Sequence, residues 1–257
     1  MNEKILKTKS NGFAALFFIV LMIIVAIASF ISSIAFLKNE ALTVVGVLLS
    51  IFLFIGSVIS FGGLKVVKPQ EAIVLTLFGD YTGTIKEPGF YFVNPFSVAV
   101  NPASKTKLGQ SGDVDRQNTS ISINNSGIEA NLDAFKKHIS LKIMTLNNSR
   151  QKINDCLGNP VEIGIAVTWK VVDTAKAVFN VDNYKEYLSL QCDSALRNIV
   201  RIYPYDVAPN VDTTGDGIAD EGSLRGSSEV VAKRIRDEIQ ARVENAGLEI
   251  IEARITY

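Results

Sequence analysis

GFAALFFIVLMIIVAIASFISSIAFLKNEALTVVGVLLSIFLFIGSVISFGGL, residues Gly12–Leu64, is two uncharged apolar runs, Gly12–Leu37 and Ala41–Leu64, interrupted only by Lys38, Asn39 and Glu40. A helix needs about 20 apolar residues to cross the roughly 30 Å hydrocarbon core of a bilayer. Both runs exceed that, and at about 1.5 Å per residue each can cross with some tilt. Neither keeps the polar stripe of a helix in a soluble core. The short break leaves room only for a tight turn, so the expectation is a transmembrane helical hairpin over 12–64 (12–37 and 41–64), with everything beyond Leu64 tethered to a bilayer.

On the N-terminal side, residues 1–11 are basic, with Lys4, Lys7 and Lys9 against Glu3. A signal peptide also begins basic, but its apolar core spans about 7–15 residues. Here the run is longer and no A-x-A-like site precedes the second run, which points to a retained helix. On the other side stand Lys65 and Lys68. Cations on both outer flanks favour both ends on the cytoplasmic side, hence a multi-pass protein of the cell membrane whose remaining chain faces the cytoplasm. Small residues recur at helical spacing: Ala28, Ser32 and Ala35, then Gly46 and Ser50, then Gly56 and Ser60. Such faces let helices approach closely in lipid, although small residues are also common in membrane helices at large.

Of the chain's 26 basic and 26 acidic residues, four Lys and two Glu precede Lys65, leaving 22 against 24 over about 190 residues. That length suits one medium domain or two small ones. The balance excludes the electrostatic footprint of a nucleic-acid binder and offers no polybasic patch for lipid, so the hairpin supplies the affinity for the lipid bilayer. Cys156 and Cys192 are too few for a disulfide framework, and Cys192 falls on an apolar helix face as a small hydrophobe. The one histidine, His138, sits on the polar face of an alternating segment, Lys136–Met144, in which Ile139, Leu141 and Ile143 face the other way. With no metal-ligand spacing and no Ser or Cys partner, it reads as a surface histidine. No Walker loop, GxGxxG, GxSxG or HExxH occurs, so no catalytic residue and no organic cofactor are expected.

The rest of the chain alternates strands and helices. Ile73, Leu75 and Leu77 alternate with Val74, Thr76 and Phe78 in a strand buried on both faces, followed by a turn at Gly79-Asp80. Pro88-Gly89 sets a second turn before the aromatic strand Phe90–Phe92. Residues 101–135 read as loop apart from a short strand at Thr119–Ile123. After the turn at Gly158–Pro160, Val161, Ile163, Ile165, Val167, Trp169 and Val171 hold strict period two, the mark of a long half-buried strand. Asp173-Thr174 caps a short helix to Phe179. Asp182 or Asn183 caps another to about Tyr203, whose apolar face is Leu188, Cys192, Ala195, Leu196, Ile199 and Tyr203. A third helix starts near Ser227 or Ser228 with Val231, Ile235, Ile239 and Val243 on one face, and Gly247 closes it. Its outer face alternates Lys233, Arg234, Arg236, Asp237, Glu238, Arg242 and Glu244, either a solvated face or a lateral packing surface between neighbouring domains. In the last strand, Leu248–Tyr257, Ile251, Ala253 and Ile255 point one way.

Several of these stretches resemble one family. PGFYFVNPF soon after a membrane segment, GNPVEI before a Trp-bearing strand, VVDTA, YPYD and the closing EARI are similar to the SPFH (band 7) domain of stomatin-, prohibitin- and flotillin-like proteins. The resemblance covers roughly Val66–Tyr257, with insertions near 102–135 and 208–226. It implies an α/β (α+β) SPFH-like domain over 65–257, with a mixed sheet and helices. It also implies a non-enzymatic scaffold that forms a homo-oligomer, organises a membrane patch and regulates a membrane-bound protease. A membrane-associated hydrolase or protease subunit is the alternative from another class.

One stretch has the spacing of a cation site. In Asp212–Asp220, DTTGDGIAD, an EF-hand-like calcium loop finds oxygen ligands at Asp212, Thr214, Asp216 and Asp220, a backbone carbonyl at Ile218 and a turn glycine at Gly217. Thr214 is a weak substitute for Asp, and the twelfth place is Ser223 rather than Glu. Calcium is the only cofactor this suggests, and with it a calcium-dependent membrane adaptor; the other reading is an acidic Gly-rich surface loop.

Overall fold

Unbroken apolar sequence produces two long helices, α1 (Gly12–Phe36) and α2 (Glu40–Phe61). Both are long and apolar enough to cross a membrane. The computed structural model describes residues 3–6, 10–36, 40–108, 114–116, 137–206, 223–225 and 227–256. The chain divides into one unit over Lys4–Val100 and a second over Met1–Glu3 with Asn101–Tyr257.

In the first unit, α2 stops at Phe61, short of the end of its apolar run. Gly62 and Gly63 turn the chain, their N–H groups bonded to the carbonyls of Ile59 and Ser60, both at 3.0 Å. Leu64 therefore belongs to β1 (Leu64–Val67), which pairs antiparallel with β4 (Gly89–Phe92). A second sheet runs β3 (Asp80–Ile85), β2 (Glu71–Leu77), β5 (Val98–Ala99). β2 is buried on both faces from Ala72 to Thr76, as its sequence predicts. Phe78, expected in that strand, instead forms the turn with Gly79. Ile5 makes a parallel bridge to Thr84 on β3, and the Leu6 N–H bonds the Thr84 carbonyl at 2.9 Å. Part of the basic N-terminus is thus fixed to the sheet. Val67, Ile73, Leu75, Ile85 and Tyr91 form the core, with Leu6, Val93 and Ala99 against it.

The second unit is built on β10 (Pro160–Val171), the centre of an antiparallel sheet ordered β11 (Leu248–Thr256), β10, β9 (Met144–Asn154). All six period-two residues of β10 are buried, Trp169 completely. Burying one such side chain contributes about 2 kcal/mol. The helices α3 (Thr174–Phe179), α4 (Tyr184–Val200) and α5 (Ser228–Val243) belong to the same unit, and Trp169 meets Tyr184 of α4 edge-on at 6.2 Å. Asp173 caps α3, its side chain accepting from Lys176 N–H at 2.9 Å. Asn183, of the two candidates, caps α4. That helix ends at Val200, and Tyr203 stays buried beyond its end. Gly247 takes φ +68° after α5, the left-handed conformation a C′ glycine adopts without strain.

Four expectations change. β9 is a strand where the polar run TLNNSRQK gave no signal. Of the alternating set before it, only Ile139, on the short β8 (Ile139–Ser140), is buried; Ile143 is exposed, because the chain leaves strand geometry between Leu141 and Ile143. In β11 the register slips so that Thr168 faces Glu252 and Trp169 faces Ile250. Ile251 is the bulged residue and points outward, while Leu248, Ile250 and Ala253 are buried. Finally, Thr106–Leu108 and Val114–Arg116 pair as a ribbon, β6 and β7, inside the stretch expected to be loop. Thr119–Ile123 and most of the two insertions lie outside the described residues.

Candidate functional site

The hairpin is the first functional element. Ile19, Ala26 and Ser33 are the buried residues of one seam and Ser50 and Ser57 of the other, each seven residues apart. That is the heptad spacing that keeps one side of a helix toward its neighbour. The small-residue set Ala28, Ser32 and Ala35 is exposed, and a Cβ on Gly56 would meet nothing within 4 Å. Steps of four drift around a helix of 3.6 residues per turn, whereas steps of seven return to the same side. Ser50 is thus the residue of the small-residue sets that the packing buries. The serine hydroxyls donate to carbonyls of their own helix: Ser33 to Ser29 at 2.8 Å, Ser50 to Val47 at 2.8 Å, Ser57 to Phe54 at 2.7 Å. No polar group of these serines is left facing an apolar surrounding, where an unmet hydrogen bond is costly.

The base of the acidic loop is the second. Asp155 closes the β9–β10 turn through four hydrogen bonds. Its Oδ1 accepts from Leu157 N–H at 2.9 Å and Asn159 N–H at 2.7 Å; its Oδ2 accepts from Asn159 Nδ2 at 3.1 Å and Tyr205 N–H at 3.0 Å. Burial pushes this carboxyl up, but the hydrogen bonds outweigh it and hold it below the ordinary aspartate value. The two motifs GNPVEI and YPYD are thereby joined by a residue that sequence reading passed over; its signal was an Asp three residues before Gly-Asn, the spacing of a side chain that caps its own turn. From Tyr205 the chain enters the insertion, and its far end returns to the same place. Leu224 N–H bonds the Pro204 carbonyl at 2.9 Å, Arg225 N–H bonds the Tyr205 carbonyl at 3.2 Å, and Arg225 pairs with Asp206 at 3.1 Å. Asp212, Thr214, Asp216, Ile218 and Asp220 lie outside the described residues. Among the described residues, no group of three or more His, Cys, Asp or Glu side chains could hold a metal. His138 is half-buried, and its backbone carbonyl accepts from Asn101 Nδ2 at 2.7 Å.

The outer face of α5 is the third. Four of its seven charged residues are engaged within the domain as close pairs: Arg236 with Asp237 at 2.8 Å and Arg242 with Glu238 at 2.6 Å. Arg242 also reaches Ser194 at 2.7 Å, and the Arg234 guanidinium lies 5.5 Å over the Tyr203 ring. Between α5 and β11 runs an open groove of about 710 Å³ lined by Glu229, Lys233, Arg236, Glu252 and Arg254. Its mixed charges mark no single ligand.

The family model described as SPFH domain / Band 7 family matches residues 65–257, from the second residue of β1 to the end of the chain. No curated protein matches the chain. The match takes in the whole described sequence beyond the hairpin, including every motif noted above, and on it the chain belongs to the SPFH domain / Band 7 family.

Proposed function

We propose that this protein is a non-enzymatic membrane scaffold of the SPFH type. The family is generally scaffold-like and without catalysis, and this chain carries its domain directly on an apolar hairpin. In this reading the hairpin spans the bilayer, the domain lies on the cytoplasmic side, and copies self-associate to organise a membrane patch and regulate a membrane-bound protease. The observation that supports it best is the joint between α2 and β1. Only Gly62 and Gly63 separate an apolar helix from the first strand of the domain, and Lys4–Leu6, before α1, pairs on β3 of the same unit. Both outer ends of the hairpin therefore meet strands of one unit, α2 through β1 and the N-terminal segment through β3, as anchoring a domain at one membrane face requires.

Extraction in mild detergent followed by native mass spectrometry tests the reading. Large assemblies of this chain, with a protease subunit in the same particles, are the expected result. A chain that stays monomeric both in detergent and at high density in reconstituted vesicles would overturn it.

A further inference from the structure

We propose that Phe78 and Phe96 form an interfacial lipid anchor, a second contact with the bilayer made beside the foot of α2. The proposal rests on the membrane reading of the hairpin and deepens it.

Phe78 and Gly79 are the two loop residues between β2 and β3, whose last pair is Leu77 with Asp80. Their φ values are +52° and +101°. Two positive φ angles in a two-residue connection suit Asn-Gly, and this chain has Phe-Gly instead. A bulky residue is strained at positive φ, and such strain concentrates where a side chain serves a purpose other than folding. The ring is not packed into the fold either: Phe78 is 87% exposed, more than any other large apolar residue among those described.

Its neighbour is equally out of place. The β2–β5 register pairs Leu75 with Ala99 and Thr76 with Val98, and continuing it sets Phe78 opposite Phe96. The two rings stack at 6.2 Å with planes 26° apart, and Phe96 is itself 56% exposed. A tight turn presents Phe96: Asn94 Oδ1 accepts its N–H at 3.0 Å, and the Asn94 carbonyl accepts the Ser97 N–H at 2.9 Å. An exposed aromatic pair of this kind in water is a liability; placed in lipid, the same area becomes binding energy.

Continuity with α2 identifies the occupant as lipid. Pro95, just before Phe96, lies against the foot of that helix, where a Cβ on Gly62 would come 3.3 Å from the Pro95 carbonyl oxygen. Val93 N–H bonds the Gly63 carbonyl at 2.9 Å. The aromatic pair thus starts one residue from the point where the apolar span ends. Aromatic and apolar side chains at that level sink into the boundary between headgroups and acyl chains. Asp80, next after the turn and exposed, keeps the tip from going deeper, since a carboxylate is costly in hydrocarbon.

The test uses the full chain reconstituted in phosphatidylcholine vesicles. Trp169 is the only tryptophan and is wholly buried, so the parent chain supplies a constant background. In Phe78→Trp the added emission should shift to shorter wavelength on reconstitution. Lipid brominated near the carbonyl end of the acyl chain should quench it more than lipid brominated near the methyl end. Phe52→Trp, on the outer surface of α2, is the reference for hairpin insertion. Solvent-like emission from Phe78→Trp, unquenched while Phe52→Trp is quenched, would overturn the anchor alone. If neither is quenched, the membrane reading fails and the anchor with it. Phe78→Asn supplies the second measurement: it should raise the melting temperature, by relieving the turn, and lose the blue shift of Phe96→Trp in vesicles. A fall in melting temperature would show that the ring serves the fold, and would overturn the proposal.

Discussion

The Gln240 side chain on α5 takes the place of a neighbouring strand for Ile250 on β11: its Oε1 accepts the Ile250 N–H at 2.7 Å. Its Nε2 donates to the Leu248 carbonyl at 3.2 Å, and Arg236 donates to the Ile250 carbonyl at 3.3 Å. β11 is an edge strand, and unpaired edges invite association with other chains. One glutamine and one arginine thus occupy the first half of that edge from within.

Gln240→Ala should remove both backbone partners. Leaving such groups unmet costs about 1–3 kcal/mol, and for a domain near this size each kcal/mol lowers the melting temperature by about 2–4 °C. The expected readout is a lower melting temperature together with more concentration-dependent association at the opened edge. Unchanged values of both would show that water replaces the side chain without loss.

Asp155 makes stability depend on acid. Its folded pKa lies below its unfolded one, so its contribution is fully present above the unfolded value of about 3.9 and is lost as pH falls through the lower folded value. Asp155→Asn keeps a carbonyl for Leu157 and Asn159 but turns an amide toward the donors from Asn159 and Tyr205. It should cost about 1.5–3 kcal/mol at neutral pH, the worth of charged hydrogen bonds, and should flatten the acid limb of the stability curve. Parallel acid limbs for variant and parent would count against this assignment.

Pro204–Asp206 and Leu224–Arg225 are tied to one another at the base of the acidic stretch. A cation taken up by Asp212, Thr214, Asp216, Ile218 and Asp220 would bind the folded chain in preference to the unfolded one. Calcium at about a hundred times its dissociation constant would then add about 2.7 kcal/mol. The parent chain should melt higher in millimolar calcium than in chelator, and Asp216→Ala should not. Identical melting of the parent in both solutions would dismiss calcium and leave an acidic surface loop.

Sidedness can be read by thiol labelling in a Cys156→Ser background. Cys192 can stay, since it is buried and burial pushes its thiol far up. With both hairpin ends cytoplasmic, a cysteine at Asn39 should react with an impermeant reagent on intact cells, and one at the exposed Lys68 only after permeabilisation. The reverse pattern would move the whole domain to the other face.

What sequence could and could not reveal follows from where each signal comes from. β10 was legible because six apolar residues alternate without a break, and α4 and α5 because their buried faces repeat at helical steps. β9 was not, because one of its three buried positions is polar and is matched by another element. Asn148 is 4% exposed and is satisfied by the Ser189 carbonyl at 3.1 Å and Asp193 at 2.6 Å, both on α4. A buried polar residue whose partners lie about forty positions away looks like surface in a linear reading. Phe78 failed for the opposite reason, since nothing in an aromatic residue announces a turn. The hairpin was legible as two spans, but its seam was set by which residues return to one side every seven positions, which a search for small residues did not weigh.

The joint at Gly62-Gly63 has a mechanical corollary. With Val93 bonded to the Gly63 carbonyl, Asn11 Oδ1 accepting Phe92 N–H at 3.2 Å and Phe13 set edge-on against Phe90 at 5.2 Å, the foot of each helix is fastened to β4 or the residue after it. There is no slack in which a swivel could form. A hairpin meets a thicker or thinner bilayer by changing its tilt, and here a change of tilt must rotate the attached sheet. With the hairpin spanning a bilayer as proposed, the local thickness of the membrane would thereby be converted into an angle displayed outside it.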